Sequence, residues 1–388
     1  MKYYLISGEA SGDLHGSNLM RGLYARDPQA DVRFWGGGLM DAVYKEHQQG
    51  SGLVRDYREG AVMGIWEVFV QARKLLARVR SCEEDIAAWK PDVVVLIDYP
   101  GFNFRIAEFA HKAGFKVFWY IAPKVWASRE RRVRKIRKFV DRLFVIFPFE
   151  PEYFRRHGIE AFYAGNPTVD MVASDPHAGE TAEEFLRRNG LPLKPYVAVL
   201  PGSRRMEVAN TMPVFLEVEK LMAARGLSQY QLVIAAAPSI DDSVYEKYLA
   251  SSSMKVVRGQ TYPLLRHAAA AIVDSGTASL EAALLDVPQV VVYRMNPLSF
   301  MIVRLLLKTR YVSLANLILD KQVFDELIQE NFTAEKVFSR IERLLGDEAY
   351  RTAMKQDYAT LRTKLGGSGA ADRVAREMVR CLEASFKE

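Results

Sequence analysis

Residues that could do chemistry follow several apolar runs of this chain, at positions where a strand would end. Asp98 closes the run VVVLID and is followed by Tyr-Pro-Gly. A carboxylate at the carboxyl end of a buried parallel strand lies where α/β sheets bind ligands, and partial desolvation raises its pKa toward that of a general base. An Asp that only caps the next helix is the alternative. The residues alone leave both interpretations open.

Two further motifs place small, hydroxyl and charged residues after a predicted strand: LPGSRRMEV at 200–208 and DSGTASLEAALLDVP at 274–288. Two helix N-termini with exposed amides and a guanidinium could hold a diphosphate, and Glu281 could accept hydrogen bonds from ribose hydroxyls. Helix capping is the alternative for either motif by itself. The candidate residues are Gly202, Ser203, Arg204, Ser275, Gly276, Thr277, Ala278, Ser279 and Glu281. The sequence contains no Asp-x-Asp pair of the kind that holds Mg²⁺ on a nucleotide sugar, which predicts a metal-independent site.

The N-terminal run leads into GEASGDLHG, where Gly8, Gly12 and Gly16 surround Ser11 and Asp13. A strand, a glycine-rich turn and a helix start let backbone N–H groups approach an anion or a sugar. The motif is neither the dinucleotide fingerprint GxGxxG nor a P-loop. A turn that only packs the helix on the strand is the alternative.

Short apolar runs alternate with amphipathic segments along most of the chain. Eight runs are predicted strands: 3–7, 93–98, 116–122, 142–147, 196–202, 231–237, 270–276 and 289–295. Continuous hydrophobicity indicates strands buried on both faces, and intervening helices make the sheets parallel. The fold class predicted is α/β, with two doubly wound, Rossmann-like domains and a cleft between them. Pro, Gly and acidic residues between Gly165 and Pro195 mark the boundary.

Composition excludes several classes of protein. The chain has 388 residues, 49% hydrophobic and 26% charged, and no uncharged apolar stretch long enough to span a bilayer. Its two cysteines, Cys82 and Cys381, are too few for a disulfide framework, and its six histidines have no metal-ligand spacing. The N-terminal residues lack the long apolar core of a secretion signal, which predicts a cytoplasmic protein.

Positive charge is concentrated in one segment. Residues Arg129 to Arg142 contain eight basic and two acidic residues, which accounts for the whole net charge of +6. Helical spacing of Val133, Ile136 and Val140 predicts a helix with one apolar edge and a basic face. That face is either simply solvated or binds a phosphorylated substrate or an anionic membrane, and no nucleic-acid motif accompanies it.

Two apolar segments carry scattered Arg and Lys residues. They span Ala61 to Leu76 and Pro297 to Val312 and are too short to cross a membrane. They are predicted to be core helices or helices that lie at a membrane surface.

Taken together, the motifs resemble those of a known family. GEASGD, MGIWEV, IDYPGFN, LPGSRRMEV, SGTASLEA, YRMNP and KTRYVSLANLI occur in consistent order between residues 7 and 330. In this combination the chain resembles the lipid-A-disaccharide synthases, which are bacterial glycosyltransferases. The resemblance implies the glycosyltransferase B fold, with residues 1–170 as an acceptor-binding domain and 171–365 as a UDP-sugar-binding domain. It also implies that the last helix, within 366–388, packs back on the first domain.

The resemblance implies a reaction as well. A diacylated glucosamine would pass from UDP-2,3-diacylglucosamine to 2,3-diacylglucosamine 1-phosphate, giving a β-1,6-linked disaccharide phosphate and UDP, without a cofactor. Inversion at the anomeric carbon requires one general base, which matches Asp98, while Arg204 would stabilise the departing diphosphate. Asn316 matches a position near the UDP.

The same resemblance assigns the acceptor side and the partners. Ser11, Gly12 and Asp13 of the GEASGD loop would face the acceptor, whereas His15 is given no role. Acylated substrates imply peripheral association with the inner-membrane surface through the segment 61–76 and the basic segment 129–142. A homodimer is one candidate assembly, although the sequence does not determine the oligomeric state, and a nucleic-acid partner is not expected.

Three other functions are compatible with parts of the pattern. A UDP-N-acetylglucosamine epimerase has the same architecture and needs no acyl acceptor. A membrane-surface adaptor with a vestigial nucleotide site would not depend on Asp98. An NAD-dependent oxidoreductase is disfavoured because GxGxxG is missing.

Overall fold

The computed structural model describes residues 1–60, 67–296, 300 and 309–385. The chain forms two compact units, one made of Met1–Pro167 and Ser368–Glu388 and the other of Thr168–Gly367. Of the apolar segments predicted at 61–76 and 297–312, residues 61–66, 297–299 and 301–308 lie outside the described residues, and residues 67–76 are helical.

The first unit is a seven-stranded, all-parallel sheet with the order β3-β2-β1-β4-β5-β6-β7. Its strands are β1 Lys2–Ile6, β2 Asp31–Gly36, β3 Leu53–Asp56, β4 Val93–Ile97, β5 Lys116–Tyr120, β6 Arg142–Val145 and β7 Ala161–Tyr163. Its helices are α1 Ala10–Arg26, α2 Gly38–His47, α3 Glu67–Trp89, α4 Pro100–Lys112, α5 Val133–Phe139, α6 Glu150–Arg156 and, near the end of the chain, α16 Ala370–Ser385.

The second unit is a six-stranded, all-parallel sheet with the order β10-β9-β8-β11-β12-β13. Its strands are β8 Tyr196–Leu200, β9 Gln231–Ala236, β10 Lys255–Arg258, β11 Ala270–Asp274, β12 Gln289–Tyr293 and β13 Glu326–Ile328. Its helices are α7 Pro167–Ala173, α8 Ala182–Arg188, α9 Arg205–Ala224, α10 Asp242–Leu249, α11 Thr261–Arg266, α12 Thr277–Leu284, α13 Leu314–Leu319, α14 Ala334–Gly346 and α15 Glu348–Leu365.

Burial explains why these runs form strands. Every residue of β4, β8 and β11 is buried, as continuous apolar runs covered by helices on both faces must be. The predicted fold class, two doubly wound parallel sheets, is confirmed, and each of the eight predicted runs contains a strand. The sequence analysis missed β2, β3, β7, β10 and β13, which are short or carry charged residues.

The end of the chain completes the first unit. Helix α16 packs against α1, where Gly22 lets the two backbones come close: a Cβ at Gly22 would lie 2.8 Å from the Cβ of Ala375. Arg26 of α1 forms an ion pair with Asp372 of α16 at 2.9 Å. The apolar side of α16, including Val374 and Met378, therefore belongs to the core of the first unit.

The basic segment is helical, as predicted. A short 3-10 turn at Glu130–Arg132 leads into α5. Val133 and Ile136 are buried against the first sheet, whereas most of the basic side chains between them are exposed. The helix thus has the apolar edge and the basic face that its sequence predicts.

Strand order fixes where each unit can bind a ligand. In the first sheet, β1 lies between β2 and β4, and in the second, β8 lies between β9 and β11. After β1 and β4 the chain turns in opposite directions, and it does the same after β8 and β11. Each divergence opens a crevice at the carboxyl ends of the two strands. Asp98 and the GEASGD loop border the first crevice, and LPGSRR and DSGTAS border the second.

Candidate active site

In the second unit, Gly202 allows the two loops of the crevice to meet. It follows β8 with a left-handed backbone conformation (φ +107°) that favours glycine. A Cβ here would lie 2.7 Å from Oε2 of Glu207 and 2.8 Å from Oδ2 of Asp274. Any side chain at this position would therefore displace one of the two carboxyl groups.

The N-terminus of α9 is not open to an anion in this structure. Oε2 of Glu207 accepts hydrogen bonds from the backbone N–H groups of Ser203 (2.8 Å) and Arg204 (3.1 Å), and its Oε1 accepts one from the Arg204 guanidinium (2.9 Å). The expectation of exposed amides at this helix is therefore wrong: the helix caps itself with its own Glu207. Arg204 remains highly exposed, so its guanidinium can exchange Glu207 for another anion.

The N-terminus of α12 is different. Its cap residue is Gly276, which has no side chain to accept a hydrogen bond from the first turn, and that turn contains no acidic residue. Gly276 and Thr277 are exposed, while the buried Ser279 hydroxyl donates to the Gly276 carbonyl oxygen at 2.9 Å. Its first-turn amides and the positive end of the helix dipole make this end suited to a diphosphate.

Two carboxyl groups near α12 have raised pKa values. Burial, together with the charge of Glu207, raises the pKa of Asp274 to about 8. Burial also raises the pKa of Glu281, whose Oε1 lies 3.4 Å from the Tyr262 hydroxyl. Ser275 and Ala278 are half-buried beside these groups.

Asn316 has a supporting role. It is completely buried, its amide nitrogen donates to the Phe324 carbonyl oxygen and the Glu326 carboxylate, and its amide oxygen accepts from Val323 and Phe324. Because both donors and both acceptor positions are used, this side chain holds the loop between α13 and β13. In this structure its side-chain hydrogen bonds all go to that loop, and its place near the UDP stays a prediction.

In the first unit, the turn after β4 is strained. Asp98 and Tyr99 both adopt left-handed backbone conformations (φ 44° and 47°), which cost non-glycine residues about 1–2 kcal/mol each. The buried Asn103 of α4 ties this turn down by donating to the Asp98 carbonyl oxygen at 2.8 Å. Strain held in place by a buried hydrogen bond is typical of functional sites.

Burial raises the pKa of Asp98 above the usual range of aspartate. The positive charge of Lys124 opposes the shift, and the negative charge of Glu9 adds to it. Glu9 belongs to the GEASGD loop, which also contacts the turn directly: a Cβ at Gly8 would lie 2.3 Å from the Tyr99 ring. The structure thus brings the predicted base and the GEASGD loop together.

Asp13 has a structural role. It is buried, and its carboxylate accepts hydrogen bonds from the backbone N–H groups of Gly37 (2.8 Å), Leu39 (3.0 Å) and Met40 (3.1 Å). It therefore caps the start of α2, and its contact with the acceptor stays a prediction. Ser11 is exposed, whereas the buried Gly12 lies close to Ser7.

Some residues of this edge were missed. Lys124 follows the predicted strand 116–122 at the same edge as Asp98, and that position was a usable signal. No sequence signal indicated Glu150. Its carboxylate is completely buried and accepts hydrogen bonds from the backbone N–H groups of Ile146 and Phe147 and from the Trp126 indole. Burial raises the pKa of Glu150 to about 7.

His15 has a neutral ring at physiological pH. Burial lowers the pKa of His15 to about 4, and its Nδ1 atom is buried. Among the described residues, no group of three or more His, Cys, Asp or Glu side chains is arranged to hold a metal ion. No helix of the described part of the chain is long and apolar enough to cross a membrane.

Solved structures define the class of fold. The chain superimposes on a putative UDP-N-acetylglucosamine 2-epimerase of Listeria monocytogenes with a TM-score of 0.65 at 15% identity, covering 100% of this chain and 96% of that one. A Methanocaldococcus jannaschii UDP-N-acetylglucosamine 2-epimerase in complex with its UDP-sugar and UDP gives 0.65 at 17% identity, covering 98% and 100%. The fold is the two-domain glycosyltransferase B type.

Sequence comparisons then identify the family. The model of the lipid-A-disaccharide synthetase family matches residues 3–378. Lipid-A-disaccharide synthases of Myxococcus xanthus and Syntrophus aciditrophicus are 38% and 36% identical over 384 and 374 residues, covering 97% and 96% of this chain and 97% and 95% of theirs. The chain belongs to the lipid-A-disaccharide synthase family and is a glycosyltransferase. The resemblance found in its motifs is thereby confirmed.

The cap formed by Asp13 gives a prediction about stability. We expect Asp13→Ala to destabilise the first unit by about 1–3 kcal/mol, because three backbone amides lose their acceptor. The matched change Ser11→Ala, in the same loop but at an exposed side chain, should leave the melting temperature unchanged. Thermal denaturation followed by circular dichroism measures both. An Asp13→Ala protein with unchanged melting temperature and a raised KM for the acceptor would contradict the structural role and favour acceptor binding instead.

Proposed function

We propose that this protein transfers 2,3-diacylglucosamine from its UDP derivative to the 6-hydroxyl of 2,3-diacylglucosamine 1-phosphate. The new bond joins the acceptor O6 to the anomeric carbon, and the bond from that carbon to the β-phosphate oxygen breaks. The proton of the hydroxyl passes to Asp98, and UDP leaves. The observation that carries this proposal is a half-buried carboxylate with a raised pKa on a strained turn, in a chain of this family.

The position of Asp98 supports a role as general base. A single in-line displacement inverts the anomeric carbon and needs one group to accept the hydroxyl proton. A carboxylate with a raised pKa is a stronger base than a solvated one, and the opposing charge of Lys124 favours its ionised form. The contact of this turn with the GEASGD loop makes the exposed Ser11 a candidate for contact with the acceptor.

The second unit supplies the UDP site in this proposal. The diphosphate would lie on the open N-terminus of α12, near Ser275, Gly276, Thr277 and Ala278, with Gly202 and Ser203 opposite. Arg204 would leave Glu207 for the diphosphate and stabilise its charge as the bond breaks. Glu281 would receive the ribose hydroxyls, and the buried Ser279 keeps the first turn in place. A solved protein of the same fold binds UDP, which supports a UDP site in this fold.

A basic surface on the first unit supports membrane docking. Arg131, Arg134, Lys135, Arg137 and Lys138 are exposed on the 3-10 turn and α5, while the opposite edge is buried. Each such residue near an anionic leaflet contributes about 1 kcal/mol. We therefore propose that the protein is cytoplasmic and binds the inner-membrane surface through this face. The homodimer stays a prediction.

The direct test of the activity is release of UDP from UDP-2,3-diacylglucosamine in detergent micelles, in the presence of a chelator. We expect release only when 2,3-diacylglucosamine 1-phosphate is added, together with formation of the disaccharide phosphate. UDP binding without acceptor-dependent release would overturn the transfer reaction, and appearance of a 2-epimer would establish the epimerase alternative.

Asp98→Asn tests the base. We expect a fall in kcat of about 10²-fold or more, with UDP affinity little changed, because the amide keeps the shape but cannot accept the proton. In the wild type, kcat should fall as the pH drops through the raised pKa of Asp98, since only the ionised form is a base. Measured pH–rate profiles should lack this acidic limb in the variant. A variant with near wild-type turnover would contradict the assignment.

A further inference from the structure

Asp274 carries a buried polar atom that the reaction as described does not use. The residue ends β11 and is only 5% exposed. Its Oδ2 atom is buried and has no hydrogen-bond partner in the described part of the chain. A buried carboxyl oxygen without a partner is costly, so a native protein that keeps one needs a reason for it.

This oxygen faces the loop that follows β8. It lies 2.8 Å from the position a Cβ would take at Gly202, and the Glu207 carboxylate lies 2.7 Å from the same position. Two carboxyl groups therefore converge on one side of a residue that has no side chain. Because Gly202 has no side chain, both carboxyl groups can lie against its backbone.

The two groups differ in their surroundings. Glu207 accepts hydrogen bonds from two backbone N–H groups and from the Arg204 guanidinium. Burial and the negative charge of Glu207 oppose the ionisation of Asp274. The Ser275 N–H and the charge of Arg204 favour it more weakly, so the pKa of Asp274 is about 8. At pH 7, Asp274 is therefore mostly a neutral carboxylic acid that can donate its proton in a hydrogen bond.

We propose that Asp274, as a neutral acid, donates a hydrogen bond from its carboxyl O–H to the diphosphate of the UDP-sugar. The inference rests on the proposed function, which puts the diphosphate between the loops after β8 and β11. The proton stays on Asp274 throughout. The hydrogen bond becomes stronger as negative charge develops on the β-phosphate oxygen, so it supports the leaving group together with Arg204 and the end of α12.

The charged and titratable groups around Asp274 come from two other elements. Glu207 and Arg204 stand at the start of α9 and form an ion pair. Tyr293 is the last residue of β12, and burial, together with the charges of Asp274 and Glu207, raises its pKa above 10. Tyr293 therefore stays neutral between pH 7 and 9, the range in which Asp274 titrates.

Proton linkage follows from this arrangement. A bound diphosphate adds negative charge beside Asp274 and raises its pKa further, so the complex holds a proton that the free protein loses above about pH 8. Binding must then take up protons at high pH, and affinity must fall by up to about tenfold per pH unit there. The terminal phosphate of UDP, with a pKa of about 6, is already ionised in this range.

The experiment is titration calorimetry of the full-length protein with UDP at pH 7, 8 and 9, in buffers with different heats of ionisation. We expect the wild type to take up almost no proton at pH 7 and close to one at pH 9, with Kd rising up to about tenfold from pH 8 to 9. Asp274→Asn keeps a hydrogen-bond donor but cannot titrate. It should bind within about threefold of the wild type at pH 7, take up no proton at pH 9 and show a flat profile.

Two further variants separate this role from a structural one. Tyr293→Phe is the matched control on the neighbouring strand and should keep the proton uptake of the wild type. Glu207→Gln removes the neighbouring negative charge and should lower the pKa of Asp274, which moves the onset of proton uptake to lower pH. This second variant tests the proposal even if Asp274→Asn fails to fold.

The outcomes are distinguishable. Tight UDP binding by the wild type with no proton uptake up to pH 9, or equal uptake by folded Asp274→Asn, would overturn the role of Asp274 and leave the nucleotide site intact. No UDP binding at any pH would overturn the proposed function itself.

Discussion

The whole arrangement depends on the fact that every strand of a parallel sheet ends at the same edge, next to backbone N–H groups that need acceptors. In each unit, two neighbouring strands send the chain in opposite directions at this edge, β1 and β4 in one and β8 and β11 in the other. Chemistry can be gathered only there, because elsewhere the strands are covered by helices on both faces. Asp98 and the loops around Gly202 and Gly276 all occupy such positions.

Carboxylates of the protein accept hydrogen bonds from several of these N–H groups, which are then not available to a ligand. Asp13 caps α2, Glu150 holds the loop after β6, and Glu207 covers the start of α9. The start of α12, with glycine at its cap, has no such carboxylate. Side chains of the protein thus satisfy the amides at these three places, whereas the start of α12 is left for an external anion. Arg204 is exposed and forms an ion pair with Glu207, and in the proposed site it turns to the diphosphate.

Much of the fold could be predicted from sequence, because strands buried on both faces are continuous apolar runs. Strands such as β3 and β10 contain charged residues or lie at the sheet edge, so their burial depends on neighbours that local sequence does not specify. For the site, position after a strand was enough to single out Asp98 as a candidate. It could not show that the Asp13 carboxylate accepts hydrogen bonds from backbone far along the chain, or that the Asn316 amide is used by the nearby loop 323–326. Nor could it find Asp274, whose pKa depends on Glu207 of another helix.

Amide hydrogen exchange with and without UDP tests most directly whether the nucleotide is held at the switch point of the second sheet. The account predicts slower exchange in peptides covering 202–208 and 275–281, with little change in the peptide covering 97–104, which belongs to the first unit. Protection of the Asp98 turn instead, with no change after β8 and β11, would contradict it.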